Sequence, residues 1–306
     1  MHTAFITHPD CLKHDMGSHH PESPARLKAI DDRLIACGLM DVLMQRDAPL
    51  ATREQLERVH SPAYVERIFQ ASPEEGLIQL DGDTAMNPFT LRAALRAAGA
   101  VVLGVDLVMR HDVENAFCSI RPPGHHAEHA TAMGFCIFNN VAVGAAHALA
   151  AHGLKRVAVV DFDVHHGNGT EDIFHDNPRV MLCSTFQHPF YPYKGADSGN
   201  DHIINVPLPA YSNGEAFRAA VSEKWLPALE RFQPELILVS AGFDAHRADD
   251  MAMLGLVEDD YVWVTKKIKK VAATYAENRI VSVLEGGYEL HVLAGCVAAH
   301  IKVLAA

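Results

Sequence analysis

Val157-Ala158-Val159-Val160-Asp161-Phe162, followed at once by Asp163-Val164-His165-His166-Gly167-Asn168-Gly169, is the stretch from which the fold is read. Its first half is a short apolar run without the polar alternation of a strand that faces water, as expected of a strand covered on both faces. Its second half, acids, imidazoles and glycines, is a polar turn leaving that strand. Four more apolar runs repeat the pattern, at residues 116–119, 180–186, 236–240 and 280–284, and residues 3–7 read as a first strand. Helical stretches separate most of them, at 87–110, 135–151, 215–232, 259–277 and 290–304. Near the start, Ser23 is placed to cap a helix, Pro24 suits its first turn, Leu27, Ile30 and Leu34 form its apolar stripe, and Gly38 suits its end. The alternation predicts a three-layer α/β fold with a mostly parallel central sheet flanked by helices. In such sheets ligands bind beyond the carboxyl ends of the strands, which is where the polar motifs fall.

Composition narrows the function. Of 306 residues, 49% are hydrophobic and 21% charged, the balance of an ordinary globular protein. Neither a linker nor a repeat interrupts the chain, so one domain over residues 1–306 is expected. Residues 1–10 carry no basic segment followed by an apolar run, and no stretch stays apolar long enough to span a bilayer; the expected location is cytoplasmic. The net charge of -12 disfavours nucleic acid and anionic membranes as partners and mildly favours cationic substrates. Six scattered cysteines without a CxxC pair suggest neither a disulfide framework nor a thiolate metal site. The 20 histidines say more, because many fall beside Asp, Gly and Pro. That clustering points to metal or proton chemistry.

Four motifs carry the chemistry. In the opening stretch, period-two geometry would put Asp161, Asp163 and His165 on one side, so that Asp163 and His165 can share a cation. Alone, such a pair is also what a strand end with solvated acids looks like. Ser119-Ile120-Arg121-Pro122-Pro123-Gly124-His125-His126-Ala127 places adjacent imidazoles in a loop restricted by two prolines, suited to two proton-handling groups, a surface turn or further metal ligands. Ser240-Ala241-Gly242-Phe243-Asp244-Ala245-His246 offers Asp244 as a third ligand after a strand. Two carboxylates and one imidazole leave a coordination position open, as a catalytic zinc requires, and would also suit Fe(II), Co(II) or Mn(II). Leu284-Glu285-Gly286-Gly287-Tyr288 delivers a phenol at a strand end, where it could serve an oxyanion or simply be buried.

In this order and over nearly the whole chain, the motifs resemble the histone deacetylase superfamily, which includes acetylpolyamine amidohydrolases and bacterial deacetylase-like proteins. Gly169-Thr170 and Gly134-Phe135-Cys136-Ile137-Phe138-Asn139-Asn140 look closest to its class II branch. The resemblance implies an arginase-like parallel α/β fold and one Zn2+ per chain on Asp163, His165 and Asp244. It implies His125 and His126 as the catalytic pair and Tyr288 as the oxyanion donor. Asp161 matches the partner of the first histidine. Asn168 stands where many members have an aspartate partnering the second, and an amide should leave His126 neutral near pH 7. Phe135 and Tyr191 match aromatic walls of an acyl-lysine tunnel, Asp83 a rim aspartate, and Arg26 and Gly134 the inner pocket. Asp161, Ser184 and Thr185 match a monovalent-cation (K+) site.

The implied activity is hydrolysis of acetyl-lysine, or a related N-acetylated amine, to acetate and free amine. Acetylpolyamine hydrolysis is the alternative; its gatekeeper position holds Met251 here, although Asp249 and Asp250 are adjacent. An arginase-like ureohydrolase would need further acidic ligands after Ser240. A catalytically silent acyl-lysine-binding protein would not need His125, His126 and Tyr288. Relatives allow a homodimer or tetramer.

Overall fold

The computed structural model describes residues 2–306. The first half of the chain forms β1 (Thr3–Thr7), α1 (Ala25–Ala36), β2 (Met44–Asp47), α2 (Arg53–Glu57), α3 (Pro62–Ala71), the hairpin strands β3 (Ile78–Gln79) and β4 (Ala85–Met86), α4 (Thr90–Met109), β5 (Asn115–Cys118) and α5 (Asn140–Ala151). The second half forms β6 (Val157–Asp161), α6 (Asn168–Phe174), β7 (Val180–Gln187), β8 (Ile203–Leu208), α7 (Gly214–Ala220), α8 (Leu226–Phe232), β9 (Leu236–Ala241), α9 (Glu258–Tyr275), β10 (Ile280–Leu284) and α10 (Leu290–Ala305).

Eight strands make one sheet in the order β2-β1-β5-β10-β9-β6-β7-β8, and every pairing in it is parallel. The expected α/β architecture is therefore observed. Of the six inner strands, β5, β6, β7, β9 and β10 are buried at every position and β1 at all but its last, which is why their sequences run apolar without alternation. Helices α4 and α5 pack on each other and on the sheet, while α1, α9 and α10 pack together elsewhere on it. Among the described residues no helix is long and apolar enough to cross a membrane.

The edges departed from the sequence reading. β2 is exposed over Gln45, Arg46 and Asp47, and β8 carries Pro207, a residue edge strands tolerate because their outer N–H groups need no partner. Along β2 there is no burial and so no apolar pattern to read, and along β8 only Ile203 and Leu208 are buried. The helix expected at 135–151 starts only at Asn140, because Gly134 and Phe135 have positive φ values of 57° and 69°, and Asn139 caps it by accepting from Ala142 N–H. Pro24, not Ser23, precedes α1, and no side chain caps that helix. The stretch expected as one helix at 215–232 contains a wider turn at Val221–Trp225, where Leu226 N–H reaches back five residues to the Val221 carbonyl just before Pro227. A proline has no N–H to keep the regular ladder, and the wider turn absorbs the break.

Candidate active site

The site is built at the carboxyl ends of β5, β6, β9 and β10, which neighbour one another in the sheet. β6 stops at Asp161, and the chain turns at once: Asp163 N–H donates to Asp161 Oδ1 at 3.1 Å, and His165 N–H to Asp163 Oδ1 at 2.9 Å. The strand period therefore does not carry through to His165, a correction to the expectation that Asp161, Asp163 and His165 share one side. Asp163 and His165 converge, whereas Asp161 turns to the neighbouring loop. Asp244, after β9, completes the cluster. The ligand-type atoms of Asp163, His165 and Asp244 lie within 4.8 Å of one another, and all three residues are buried.

These residues fit a metal ion. His165 Nδ1 lies 3.0 Å from Asp163 Oδ1 and 3.3 Å from Asp244 Oδ2. The other oxygens are occupied, Asp244 Oδ1 by Val164 N–H at 2.9 Å and Asp163 Oδ2 by Gly286 N–H at 2.8 Å. Asp244 Oδ2 is buried without a hydrogen-bond partner, an arrangement that costs free energy unless a cation compensates it. A glycine keeps this cradle open. A Cβ on Gly286 would stand 2.1 Å from Asp244 Oδ2 and 2.6 Å from Asp163 Oδ2. Burial and the charge of Asp163 both push the Asp244 carboxyl upward, while burial opposes and the two carboxylates raise the pKa of His165, to about 9.

A second cluster of this type, Asp106, His147 and His152, joins α4 to α5. Both imidazole Nε2 atoms meet Asp106 Oδ1, at 2.8 and 2.7 Å, but Arg58 Nη1 faces His147 Nδ1 at 3.2 Å. A guanidinium only donates, so Nδ1 accepts and Nε2 carries the proton. That cluster is a hydrogen-bonded link between helices.

The tandem histidines follow β5. Their ring centroids are 4.1 Å apart. His125 Nδ1 meets Asp161 Oδ2 at 2.9 Å, and although burial opposes protonation, Asp161 and Asp163 hold its pKa well above the usual value. His126 Nδ1 meets Asn168 Oδ1 at 2.7 Å. Burial, and the positive charges that His125 and His165 can carry, hold His126 well below the ordinary histidine range. The two neighbouring imidazoles are thus pushed in opposite directions, His125 toward its charged form and His126 toward its neutral one. His126 lies 5.6 Å from the His165 ring, centroid to centroid.

Tyr288 follows the two glycines after β10. Its ring meets Phe135 edge-on at 5.9 Å and lies 5.0 Å from the Arg26 guanidinium carbon. Arg26 is fully buried, donating to the carbonyls of Gly287 at 2.6 Å and Glu285 at 2.5 Å, so it braces the turn under Tyr288. Asp83, half-buried at the rim, accepts Gly134 N–H at 3.1 Å through Oδ1. Gly134 lies so close to His126 that a Cβ would stand 2.4 Å from its ring. Tyr191 sets its edge against His126 at 5.3 Å, and its hydroxyl is buried without a partner. Met251 lies beside Tyr288 with Pro21, Asp249 and Asp250 around a cavity of 470 Å³. Ser184 and Thr185 lie buried on β7, where Ser184 pairs with Asp161.

Three residues escaped the sequence reading. Phe190 stacks on His165 at 5.4 Å with only 20° between the rings, so it stands nearer the cluster than an arbitrary loop aromatic. Glu285, pushed up to about 7 chiefly by burial, accepts from Gly124 N–H at 2.7 Å and His125 N–H at 3.2 Å and so holds the tandem-histidine loop. Glu22 is buried between Arg121, at 2.7 Å, and Arg26, at 3.1 Å. Glu285 has no local mark, since the backbone donors it accepts from lie about 160 positions away; Glu22 has a local partner in Arg26, four positions on, but Arg121 reaches it from 99 positions away.

A parallel α/β sheet whose strand ends bring two acids and an imidazole together beside two histidines pushed toward opposite charge states is the frame of a metal-dependent hydrolase. Residues 20–304 match the family profile described as "Histone deacetylase domain". The histone deacetylase-like amidohydrolase of Pseudomonas aeruginosa is 38% identical, over 94% of this chain and 81% of that protein. The human polyamine deacetylase HDAC10 is 38% identical, over 99% of this chain and 48% of that protein. The solved HDA15 HD domain superposes with a TM-score of 0.93 at 33% identity, covering 99% of this chain and 88% of that one. The chain belongs to the histone deacetylase family of zinc-dependent amidohydrolases, and it is a hydrolase of acetylated amines.

Proposed function

We propose that the chain works as one catalytic domain that deacetylates acyl-lysine side chains, with zinc on Asp163, His165 and Asp244. The observation that carries this reading is the convergence of those three side chains around the unpartnered Asp244 Oδ2, beside the His125–His126 pair. A single hydrophobic cluster running from Ala4 to Leu304 supports the single domain.

Zinc held there would supply Lewis acidity to polarise the acetyl carbonyl and acidify a water. His126, neutral and hydrogen-bonded through Nδ1 to Asn168, presents Nε2 to take the proton of the attacking water and to return it to the leaving nitrogen. His125, held charged by Asp161, keeps positive charge beside the negative charge that develops. Tyr288 donates a hydrogen bond to the oxyanion; burial holds that phenol protonated, with Asp244 adding to the effect. Phe135 and Phe190 wall the acyl chain, and Asp83 keeps one oxygen for the substrate backbone.

The choice of acyl-lysine over acetylpolyamine rests on the rim beside Tyr288. Met251 is uncharged, and Asp249 spends both oxygens on backbone N–H groups, those of Met251, Tyr288 and Glu289 at 3.0, 2.6 and 3.0 Å. It has little left for a distal ammonium. For a monovalent cation such as K+, the same reading takes Ser184, which pairs with Asp161, and Thr185 beside it on β7; their burial supports it.

The test is turnover by the zinc-loaded protein of an acetyl-lysine peptide against N-acetylputrescine. We expect the peptide to be the better substrate and a chelator to abolish turnover until zinc returns. Faster hydrolysis of N-acetylputrescine would replace the substrate assignment.

A further inference from the structure

Asn168 faces His126 with its side-chain carbonyl, and the reason lies one residue further out. Glu128 Oε1 accepts from Asn168 Nδ2 at 2.7 Å and from Lys194 Nζ at 2.5 Å. An amide side chain is nearly symmetric in shape, so a half-turn about its last bond exchanges donor for acceptor with almost no steric signal; its hydrogen-bond partners choose. Around Asn168 Nδ2 stand three acceptors, Glu128 Oε1, the His126 carbonyl oxygen at 3.4 Å and Met133 Sδ at 3.4 Å. Only the first is both charged and short. A charge-assisted bond is about twice as strong as a neutral one, so Glu128 decides the orientation.

That orientation matters one bond further in. With the Asn168 carbonyl toward it, His126 Nδ1 must carry the proton, and Nε2 keeps its lone pair. With the amide reversed, Nδ1 would have to accept, the proton would sit on Nε2, and the nitrogen facing the reacting centre could take no other.

We infer that Glu128 is a positioning residue for the reaction: it locks the Asn168 amide and thereby sets the tautomer in which His126 can act as the base. An aspartate at position 168 would need no such lock, because either carboxylate oxygen accepts. Lys194 completes the arrangement from the loop that also carries Phe190 and Tyr191. Its ammonium can only donate, so it occupies Glu128 without offering Asn168 a competing acceptor. The inference rests on the assignment of His126 as base, and its test therefore reads the tautomer separately from the activity.

The experiment uses the zinc-loaded full chain in five forms: wild type, Glu128→Ala, Glu128→Gln, Asn168→Asp and Asn168→Asp/Glu128→Ala. Steady-state kinetics are paired with the nitrogen chemical shifts of isotope-labelled histidine, which distinguish Nδ1–H from Nε2–H. In Glu128→Ala we expect kcat to fall about 10- to 100-fold, a share of what a positioned base contributes, with KM nearly unchanged and Nε2–H appearing at His126. Glu128→Gln should recover most of the rate, since its side-chain carbonyl still accepts. In the Asn168→Asp background the further change of Glu128 to Ala should cost no more than about threefold, the coupling expected of residues acting through one another.

Two results would overturn the inference. One is a Glu128→Ala protein that keeps the Nδ1–H tautomer; the other is the same large loss whether residue 168 is Asn or Asp, which would make Glu128 a support of the loop alone. A tautomer change with undiminished kcat would uphold the lock and remove His126 from the role of base.

Discussion

The carboxylate of Asp249 accepts the backbone N–H of Tyr288 at 2.6 Å. The same oxygen takes Glu289 N–H at 3.0 Å, so two peptide donors at the start of the turn into α10 converge on one charge. Charge-assisted bonds of this kind hold a turn in place where two glycines precede it. Replacing Asp249 by Ala frees the turn that carries the phenol without touching the three metal-site residues. We expect kcat to fall about 10-fold, as for a reacting group held more loosely, with zinc content unchanged by elemental analysis. A variant with wild-type kcat would remove Asp249 from this role.

Tyr288→Phe removes the hydroxyl alone. If the phenol serves the oxyanion, kcat/KM on an acetyl-lysine peptide should drop about 100- to 1,000-fold, the range for one oxyanion donor in other hydrolases. Zinc should remain bound. Full turnover by this variant would end the oxyanion assignment.

Gly286→Ala tests the cradle. Its Cβ would enter at 2.1 Å from Asp244 Oδ2, in a place where neither carboxylate can retreat from backbone donors. We expect a folded protein that no longer retains stoichiometric zinc. Gly295→Ala on α10 is the matched control, because nothing lies within 4 Å of its would-be Cβ, and it should keep the metal and gain up to about 1 kcal/mol of helix stability. Equal zinc content in the two variants would contradict the ligand set.

His60 gives the pH dependence of folding. Its Nε2 accepts Asn139 N–H at 2.9 Å and its Nδ1 faces the Glu128 carbonyl at 3.0 Å, so it is neutral in the fold, and burial lowers its pKa from 6.5 to about 4. The unfolded chain therefore binds the proton first. Stability is fully present above pH 6.5, falls as pH drops toward 4, and changes no further from this group below that; the 2.5-unit span corresponds to at most about 3 kcal/mol. Urea midpoints measured from pH 7 to 4 should decline less steeply for His60→Gln than for wild type. Parallel slopes would show that His60 does not carry the effect.

The sequence by itself determined the architecture and the chemistry on offer. Five apolar runs without alternation, separated by helical stretches, read as strands covered on both faces, and in a parallel sheet the polar residues that end them emerge together at one edge. Asp163, His165, Asp244, the tandem histidines and Tyr288 were legible for that reason, since each follows a strand within a few residues. The exposed β2 was not, because residues facing water carry no burial pattern, and neither was β8, an edge strand buried only at Ile203 and Leu208 and interrupted by Asn205 and Pro207. Nor could local sequence end the helix expected from Phe135, where Gly134 and Phe135 take positive φ values and Gly134 packs against the His126 ring. Tertiary structure alone decided which donor meets which acceptor: that Asp161 turns to His125 instead of joining Asp163, that Arg26 braces the turn under Tyr288, that Glu285 holds the histidine loop, and that Glu128 reaches Asn168. Strand periodicity is a local property of the backbone, whereas orientation of a buried polar side chain is set by partners that only folding brings within 3 Å.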